Sequence, residues 1–302
     1  MVSGKVIKST GSWYKVALPD GEVAECRLRG KLRLDDKLAT NPIAVGDEVE
    51  LDLNDDKTGS IIRKKERRNQ IIREATHGKK GQQVIAANVD LAFSIQSVRK
   101  PAYRTGFIDR FLVTCEANNV EPVILINKTD LANESDLNNL NELRSRYESI
   151  GYKFITSSIY DPVSIEFLRG VTKDKVSVFI GPSGSGKSTL LNTLDPELNL
   201  VTGKVSGSSG KGKHTTTFAE LIRLSYGAWL IDTPGIREFG LVDIEPTELS
   251  LFFPEMRVMR QECRFYNCTH IHEPKCAIHE ALEKKDIHES RYESYRRILK
   301  SL

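Results

Sequence analysis

The first 66 residues alternate short apolar and polar segments with turns, a pattern typical of β-strands. The turn segments are PDGE, NPIAVGD and NDDKTG, and the segments that predict strands are KVIKS, YKVAL, EVAECRL, DEVELDL and GSIIRKK. Strands at this spacing predict a small closed β-barrel of the OB or SH3 type over residues 1–66. Many such barrels are only spacers, whereas others bind nucleic acid. Binding is favoured here by a set of basic residues: Arg27, Arg29, Lys31 and Arg33.

The hydrophobic pattern changes after the barrel. The segments VDLAFSIQ (89–96) and EPVILIN (121–127) are continuous apolar runs, as expected of strands buried on both faces. GFIDRFLVTCEANN (106–119) lies between them and has helical periodicity, which predicts a βαβ unit and a parallel sheet with covering helices. The alternation continues in YKFITSS, DPVSIEFLRG, KVSVFIG, KSTLLNTL and FAELIRLSYGAWLIDTPG. We expect an α/β domain over residues 67–240 and a mainly helical domain over residues 241–302.

Composition places the chain among soluble globular proteins. Of its 302 residues, 39% are hydrophobic and 28% are charged, which suits two or three domains. No apolar stretch approaches the roughly 18 residues that a membrane helix needs, and the N-terminus lacks the apolar core of a secretory signal. We expect a cytoplasmic monomer without a membrane partner.

Basic residues are concentrated in residues 61–82, where eight Lys or Arg stand against two Glu, although the net charge is only +3. Such a run is often a solvated, flexible face. It can also bind a polyanion, because clustered Lys and Arg release counterions from phosphates. The sequence leaves both interpretations open.

The segment Gly181–Ser188 fits the phosphate-loop pattern G-x-x-x-x-G-K-S and lies between a predicted strand and a predicted helix. Its backbone N–H groups are expected to cradle phosphates, Lys187 to reach the β and γ oxygens, and Ser188 to bind Mg²⁺. The predicted nucleotide contacts are Gly181, Pro182, Ser183, Gly184, Ser185, Gly186, Lys187, Ser188 and Thr189. In LIDTPG (230–235), Asp232 is expected to hold Mg²⁺ through water, and the Gly235 N–H to sense a γ-phosphate.

The segment INKTD (126–130) specifies the base. The Asp130 carboxylate is an acceptor that suits the adjacent N1–H and N2–H₂ donors of guanine, a pair that adenine lacks. Asn127 is expected to brace the loop, and the stem of Lys128 to stack along the base. A second base element, TSS (156–158), ends the next strand. The predicted base contacts are Asn127, Lys128, Thr129, Asp130, Ser157 and Ser158, with a backbone N–H of the second element meeting the guanine oxygen.

The order of these motifs is unusual, because the base motif precedes the phosphate loop. This is the usual GTPase order rotated, with the break between the DTPG strand and the strand before NKTD. Domain termini commonly lie close together, so that circular permutation can preserve a fold. We therefore predict a circularly permuted GTPase that binds GTP and Mg²⁺.

The glycine- and serine-rich segment TGKVSGSSGKGKHTTT (202–217) occupies the position of a switch loop. A threonine hydroxyl there should bind Mg²⁺, and the sequence does not choose among Thr215, Thr216 and Thr217. Many GTPases place a water-orienting Gln after D-x-x-G, where this chain has Ile236. Either hydrolysis is slow, or another group such as the imidazole of His214 supplies the function. His214 could also be an exposed or phosphate-touching residue.

The segment CRFYNCTHIHEPKC has the spacing C-x₄-C-x-H-x₅-C. Three thiolates and one imidazole form a closed tetrahedral site for one structural Zn²⁺, which would substitute for a core in a small helical domain. The predicted ligands are Cys263, Cys268, His270 and Cys276. His272 and His279 are alternatives for the fourth position.

With INKTD, GPSGSGKST, GKGKHTTT, DTPGIREFG and CRFYNCTHIHEPKCA in this order, the chain resembles the bacterial RsgA (YjeQ/YloQ) family over nearly its full length. The resemblance implies a GTPase of late 30S ribosomal subunit maturation that binds the subunit and its rRNA and is stimulated by it. It also implies an OB-fold barrel, Zn²⁺ in the C-terminal domain and a catalytic role for His214.

Two other functions fit parts of the pattern. A non-catalytic RNA-binding module would hold GTP only as a structural ligand, which Ile236 favours, whereas the complete Mg²⁺ set and His214 argue against it. A P-loop kinase would share the phosphate loop, but the guanine selectivity expected from Asp130 argues against a kinase.

Overall fold

The structure is a computed structural model that describes residues 2–29, 42–74, 82–200, 219–232 and 244–302. The chain forms two compact units, each built from three separate segments of the sequence. The first unit combines Met1–Ala92, Ile165–Ile180 and Ser188–Glu238, and the second combines Phe93–Ser164, Gly181–Lys187 and Phe239–Leu302. The predicted division into domains 1–66, 67–240 and 241–302 stays a prediction. Within the described ranges, no helix combines the length and apolarity required to cross a membrane.

The first unit contains the predicted barrel. Its strands are β1 (Val2–Ser9), β2 (Tyr14–Ala17), β3 (Val23–Leu28), β4 (Glu48–Leu53) and β5 (Thr58–Lys64). They pair in the order β1-β2-β3-β5-β4, and β4 returns to β1 to close the barrel. The β3–β5 pair is parallel and the other pairs are antiparallel. This connectivity is that of an OB-fold, so it decides between the two barrel types that the sequence allowed.

A hairpin of β6 (Gln70–Glu74) and β7 (Gln82–Ala87) follows the barrel and was not among the predicted elements. Its first strand lies within the basic run, whose composition obscures the strand pattern. Two arginines of that run hold carboxylates of the first unit at hydrogen-bond distance. The Arg67 guanidinium binds both oxygens of the fully buried Asp47, at 2.7 and 2.8 Å, and Arg68 pairs with Asp90 at 2.9 Å. Part of the basic run is therefore structural.

The rest of the first unit carries strands of the GTPase sheet: β11 (Val176–Ile180), β12 (Glu220–Arg223) and β13 (Trp229–Asp232). β11 and β13 are parallel, whereas β12 and β13 are antiparallel. β1 of the barrel pairs antiparallel with β12, and Lys8 of β1 lies opposite Glu220 of β12. The Lys8 ammonium also pairs with the Glu220 carboxylate at 2.9 Å. The barrel is thus attached to this sheet by backbone and side-chain bonds.

The second unit holds β8 (Leu91–Ser97, from Phe93 on), β9 (Glu121–Asn127) and β10 (Lys153–Thr156), in the order β10-β9-β8. β9 and β10 are parallel, as expected of βαβ connections. Across both units, the α-helices of the described ranges are α1 (Thr105–Ala117), α2 (Glu134–Ser149), α3 (Pro162–Thr172), α4 (Lys187–Leu194), α5 (Pro254–Met259), α6 (Ala277–Glu283) and α7 (Glu289–Leu299).

Helix α2 was not predicted, because it is mostly polar and buries only Leu140, Leu143 and Tyr147. A capping box begins it: the Asn133 side chain accepts from the Asp136 N–H, and the Asp136 carboxylate accepts from the Asn133 N–H. These bonds satisfy N–H groups that a helix start leaves without partners.

A buried ionic cluster joins α7 to α1 and α5 within the second unit. The Arg291 guanidinium contacts the Asp109 carboxylate at 2.5 Å and the Glu255 carboxylate at 2.7 Å, and all three side chains are at most 6% exposed. The Tyr147 hydroxyl donates to Asp109 at 2.7 Å, and the Phe253 ring lies 4.6 Å from the guanidinium carbon. Burial alone would lower the pKa of Arg291, but the two carboxylates outweigh it and raise that pKa, so Arg291 stays charged.

We expect Arg291→Met to lower the free energy of unfolding by about 3–5 kcal/mol, because it leaves two buried carboxylates without their cation. Arg297→Met is the matched control on the same helix. Its side chain is 73% exposed and pairs with Glu293, and such surface pairs contribute at most about 1 kcal/mol. Urea unfolding followed by circular dichroism measures both variants. Equal losses would show that the cluster contributes no more than a surface pair.

Candidate nucleotide-binding and metal sites

The predicted phosphate loop joins the end of β11 to the start of α4. Two of its glycines are required by close approaches within the second unit. A Cβ on Gly181 would overlap the Ile95 carbonyl oxygen. Gly186 has a φ of +87°, and a Cβ there would lie 2.6 Å from the Asn127 side-chain nitrogen. The loop therefore lies directly against β8 and the base motif, as a phosphate cradle shared with a base site requires.

The base motif is hydrogen-bonded to the backbone of the phosphate loop. Asn127 Nδ2 donates to the Ser185 carbonyl at 3.1 Å. Lys128 Nζ donates to the Gly184 carbonyl at 2.6 Å and to the Lys100 carbonyl at 3.0 Å. Asn127 thus braces the loop as predicted from sequence. The Lys100 carbonyl was not predicted, because no motif marks the segment after β8.

The second base element positions the carboxylate that would read the base. The Ser158 hydroxyl donates to Asp130 Oδ1 at 2.6 Å, and the Ser157 hydroxyl donates to Asn127 Oδ1 at 3.2 Å. The Thr129 hydroxyl donates to the Ser157 carbonyl at 3.1 Å. Asp130 itself is exposed. The structure therefore brings together all the residues predicted to contact the base.

The backbone N–H groups of the second base element already donate within the protein. The Ser157 N–H binds the Ile126 carbonyl at 2.9 Å, and the Ser158 N–H binds the Ser164 hydroxyl at a longer 3.3 Å. Their expected contact with the guanine oxygen stays a prediction. The role that the structure gives Ser158 is carried by its hydroxyl, which orients Asp130.

The predicted Mg²⁺ ligands belong to the first unit. Ser188 lies in the first turn of α4, and Asp232 ends β13. β13 runs parallel to β11, the strand before the phosphate loop, with Ile231 opposite Val178. The carboxyl ends of both strands thus lie at one edge of the sheet. A hydroxyl and a carboxylate are hard oxygen donors that suit Mg²⁺.

Several predicted residues lie outside the described ranges. They are the switch-loop residues His214, Thr215, Thr216 and Thr217, the sensor Gly235, its neighbour Ile236 and the barrel residues Lys31 and Arg33. Their predicted roles stay predictions.

The three cysteines and one histidine of the C-terminal segment form a single cluster. One ligand atom of each of Cys263, Cys268, His270 and Cys276 lies within 4.8 Å of the others. His270 Nδ1 lies 3.4 Å from Cys276 Sγ and 3.6 Å from Cys263 Sγ, and those sulfurs are 4.0 Å apart. Tetrahedral ligands with bonds of about 2.0–2.3 Å lie roughly 3.3–3.8 Å apart. The cluster therefore fits one metal ion with no open position.

The surroundings of His270 suit a metal ligand. Burial lowers the pKa of His270 to about 4, so that the imidazole is neutral near pH 7. His270 Nε2 lies 3.1 Å from the Ser250 hydroxyl, an outer contact that leaves Nδ1 for the metal. Burial also raises the pKa of Cys268 to about 12. A thiol in such surroundings becomes a thiolate readily only when a cation binds it.

The two alternative histidines have other positions. His279 Nε2 lies 3.0 Å from both the His270 carbonyl and the Tyr292 hydroxyl, and His272 is exposed.

The Glu273 carboxylate orders the loop between the ligands by accepting hydrogen bonds from Thr269, Ile271 and His272. Burial alone would raise the pKa of Glu273, but these bonds outweigh it and lower that pKa.

Two exposed aromatic residues were missed by the sequence analysis. In the barrel, Trp13 is 41% exposed and the Arg27 guanidinium stacks 3.9 Å from its ring centre. Between the first two cysteines, Tyr266 is 99% exposed beside Phe265, over which Arg264 lies at 5.4 Å. The segment CRFYNC contained a sequence signal for this exposure, because adjacent aromatic and basic residues between metal ligands are ill suited to a buried core.

Comparison with known proteins agrees with these features. The family model for the RsgA GTPase matches residues 64–242, and the model for the RsgA N-terminal domain matches residues 3–61. The small ribosomal subunit biogenesis GTPase RsgA of Flavobacterium psychrophilum is 45% identical over 99% of this chain and 92% of its own length. Its namesake in Flavobacterium johnsoniae is 46% identical over 99% of this chain and 93% of its own length.

Two solved structures have the same architecture. YjeQ from Thermotoga maritima has a TM-score of 0.82 and 35% identity, covering 100% of this chain and 98% of its own. YloQ, described as a circularly permuted GTPase, has a TM-score of 0.79 and 33% identity, covering 100% and 94%. These matches confirm the permuted fold and decide against a kinase or a non-hydrolysing module. The chain belongs to the RsgA family of circularly permuted GTPases and hydrolyses GTP to GDP and phosphate.

Proposed function

We propose that this GTPase acts in late maturation of the 30S ribosomal subunit, that it binds the subunit through rRNA, and that the subunit stimulates its hydrolysis of GTP. The observation that carries the proposal is the similarity of 45% identity, over 99% of the chain, to a protein named for small-subunit biogenesis. Such coverage includes the barrel and the C-terminal segment as well as the nucleotide motifs.

The surface of the barrel supports an RNA partner. An exposed aromatic ring is a platform for an unpaired base, and a stacked guanidinium adds positive charge beside it. Trp13, in the turn before β2, and Arg27, on β3, provide this combination. Arg67 and Arg68 hold carboxylates of the protein. They are therefore less suited to phosphate contacts than their place in the basic run suggests.

The nucleotide and its metal are assigned by role. Asp130 would accept from the guanine donors with Ser158 orienting it, and Lys128 would lie along the base. The phosphate loop from Gly181 to Thr189 would donate backbone N–H groups and the Lys187 ammonium to the phosphates. Ser188 and Asp232 would hold Mg²⁺, an ion that neutralises phosphate charge when bound. In the C-terminal segment, the cluster of three thiols and an imidazole would hold one structural Zn²⁺.

Catalysis in this proposal is assigned to His214. The position after D-x-x-G is Ile236, which cannot orient a water molecule, whereas an imidazole can. Ribosome binding would place the switch loop, and His214 with it, for hydrolysis.

The first test is GTP turnover with and without purified 30S subunits. We expect strong stimulation of the wild type and its loss in His214→Ala, because the variant lacks the water-orienting group.

Trp13→Ala should instead raise the subunit concentration needed for half-maximal stimulation by roughly tenfold, as expected for a lost base stack. Phe167→Ala is the matched control, since Phe167 is a 57% exposed aromatic residue on α3.

Absence of stimulation in the wild type would refute the ribosomal role while leaving the GTPase intact. Stimulation that survives in His214→Ala would move catalysis to the subunit or to another residue. Equal effects of the Trp13 and Phe167 changes would exclude a specific role of the barrel aromatic residue.

Asp130→Asn should shift the preference from guanine to xanthine nucleotides, because an amide can donate to the extra oxygen of xanthine. Ser158→Ala is the matched variant. It removes the hydroxyl that donates to Asp130 and that also accepts from the Tyr160 N–H at 3.1 Å. Because the Asp130 carboxylate itself remains, GDP affinity should fall roughly tenfold without a change of base preference. Competition binding with GDP and XDP measures both effects. Unchanged GDP affinity in Asp130→Asn would contradict the base assignment.

The purified protein should contain one zinc per chain, measured by mass spectrometry of the metal. Cys276→Ser and His270→Ala should lose zinc and lower the melting temperature, because metal binding contributes folding free energy. His272→Ala should keep both, since His272 lies outside the cluster. Zinc loss in His272→Ala together with zinc retention in His270→Ala would reassign the fourth ligand.

A further inference from the structure

Two lysines, one in the base motif and one in the segment after β8, share an unusual backbone conformation. Lys128 has φ of 61° and Lys100 has φ of 55°. Residues with a Cβ adopt this left-handed region mainly where surrounding contacts hold them there, and such positions cluster at functional sites. The two residues meet directly, because Lys128 Nζ donates to the Lys100 carbonyl at 3.0 Å. The orientation of that carbonyl therefore bears on the position of the base-motif lysine.

Three further bonds hold the segment that carries Lys100. The Val98 N–H donates to the Asn127 carbonyl at 3.1 Å, which ties the segment to the end of β9. The Ser97 hydroxyl donates to the Arg99 carbonyl. The Arg99 side chain reaches the first turn of α2, where its Nε contacts Asp136 Oδ2 at 2.7 Å. Only the last of these bonds depends on a charged side chain and is open to a clean substitution.

Asp136 connects Arg99 to the end of the base motif. Its Oδ2 also accepts from the Asn133 N–H at 3.0 Å, in the capping box that begins α2. Asn133 follows Asp130 by three residues in the chain. One carboxylate oxygen therefore holds the segment of Lys100 on one side and the continuation of the base motif on the other. Lys128 is hydrogen-bonded to the first of these segments and precedes the second by a few residues in the chain.

We propose that Arg99 is a positioning residue for guanine nucleotide binding, which acts through Asp136 and the Lys100 carbonyl to hold Lys128 in its binding orientation. The inference rests on the role proposed above for Lys128. A lysine side chain loses considerable rotamer freedom when it is fixed. Two carbonyl acceptors, those of Gly184 and Lys100, fix it before the nucleotide arrives, and a side chain fixed in advance lowers the cost of binding.

The exposure of the pair sets the size of the effect. The Arg99 side chain is 42% exposed and that of Asp136 is 23% exposed. A pair this exposed is partly screened by water, so its loss should change affinity by a small factor. We expect Arg99→Gln to weaken GDP binding roughly two- to fivefold.

A double-substitution cycle on the full-length protein tests the inference, with fluorescently labelled GDP as the probe. The variants are Arg99→Gln, Lys128→Ala and the two combined. If Arg99 acts through Lys128, Arg99→Gln should weaken binding in the wild-type background and have no further effect in Lys128→Ala. Arg99→Lys, which keeps the charge beside Asp136, should recover most of the affinity. Arg104→Gln is the matched control, because Arg104 is exposed on the same segment.

The outcomes separate the inference from the proposed function. Undiminished GDP affinity in Lys128→Ala would contradict the base-site assignment itself. Weakened binding in Lys128→Ala with no effect of Arg99→Gln would overturn the inference alone. The same fold-change for Arg99→Gln in both backgrounds would also overturn it, since it would show a general structural effect. Melting temperatures of all variants identify any that are unfolded, and Asp136→Asn then provides the second route to break the pair.

Discussion

The hydrogen bonds between the base motif and the phosphate loop are the constraint on which the nucleotide site depends. Asn127 and Lys128 bind carbonyls that lie 58 and 56 residues later in the chain. In a permuted chain the base motif and the phosphate loop are linked along the backbone in a different order than in the usual GTPase. The backbone connection therefore cannot be what keeps the two segments together. Backbone carbonyls serve as acceptors, which makes the junction independent of the side chains at positions 184 and 185. The base specificity and the phosphate cradle can therefore survive the rearrangement as one site.

The C-terminal segment is held by two kinds of interaction because it is small. Its apolar cluster includes Leu249, Phe253 and Tyr295, and it extends to Val113 of α1. A core of this size gains limited free energy from burial. The Cys₃His cluster can add metal binding on one side, and the Arg291 cluster adds a charged link to α1 on the other. Removal of one member of such a buried cluster is strongly destabilising, because it leaves the other members without their charge partner.

The barrel and the nucleotide sheet are continuous within the first unit, through the pairing of β1 with β12. β12 is followed by β13, which ends at the proposed Mg²⁺ ligand Asp232. The barrel surface carries Trp13 and Arg27, whereas Arg67 and Arg68 of the basic run are used internally. Fewer basic residues of that run are therefore available to a polyanion than the sequence suggests. The carboxylates of Asp47 and Asp90, which bind two of them, lie far away in the sequence or carry no motif.

The sequence alone determined the features that have a local signature. Alternating and continuous apolar segments predicted the barrel strands and the buried strands of the sheet, and the motif order predicted the permuted fold. Local patterns failed where burial is sparse or the composition is mixed, as in α2 and in the hairpin of β6 and β7. The tertiary structure showed the strand pairing of the OB barrel and decided for His270 over His272 and His279. It alone revealed the hydrogen bond of the Ser158 hydroxyl to Asp130 and that of Lys128 to the Lys100 carbonyl. Each of these depends on which distant backbone segment lies beside a side chain, and hydrophobic periodicity, which relates neighbours within a few residues, contains no such information.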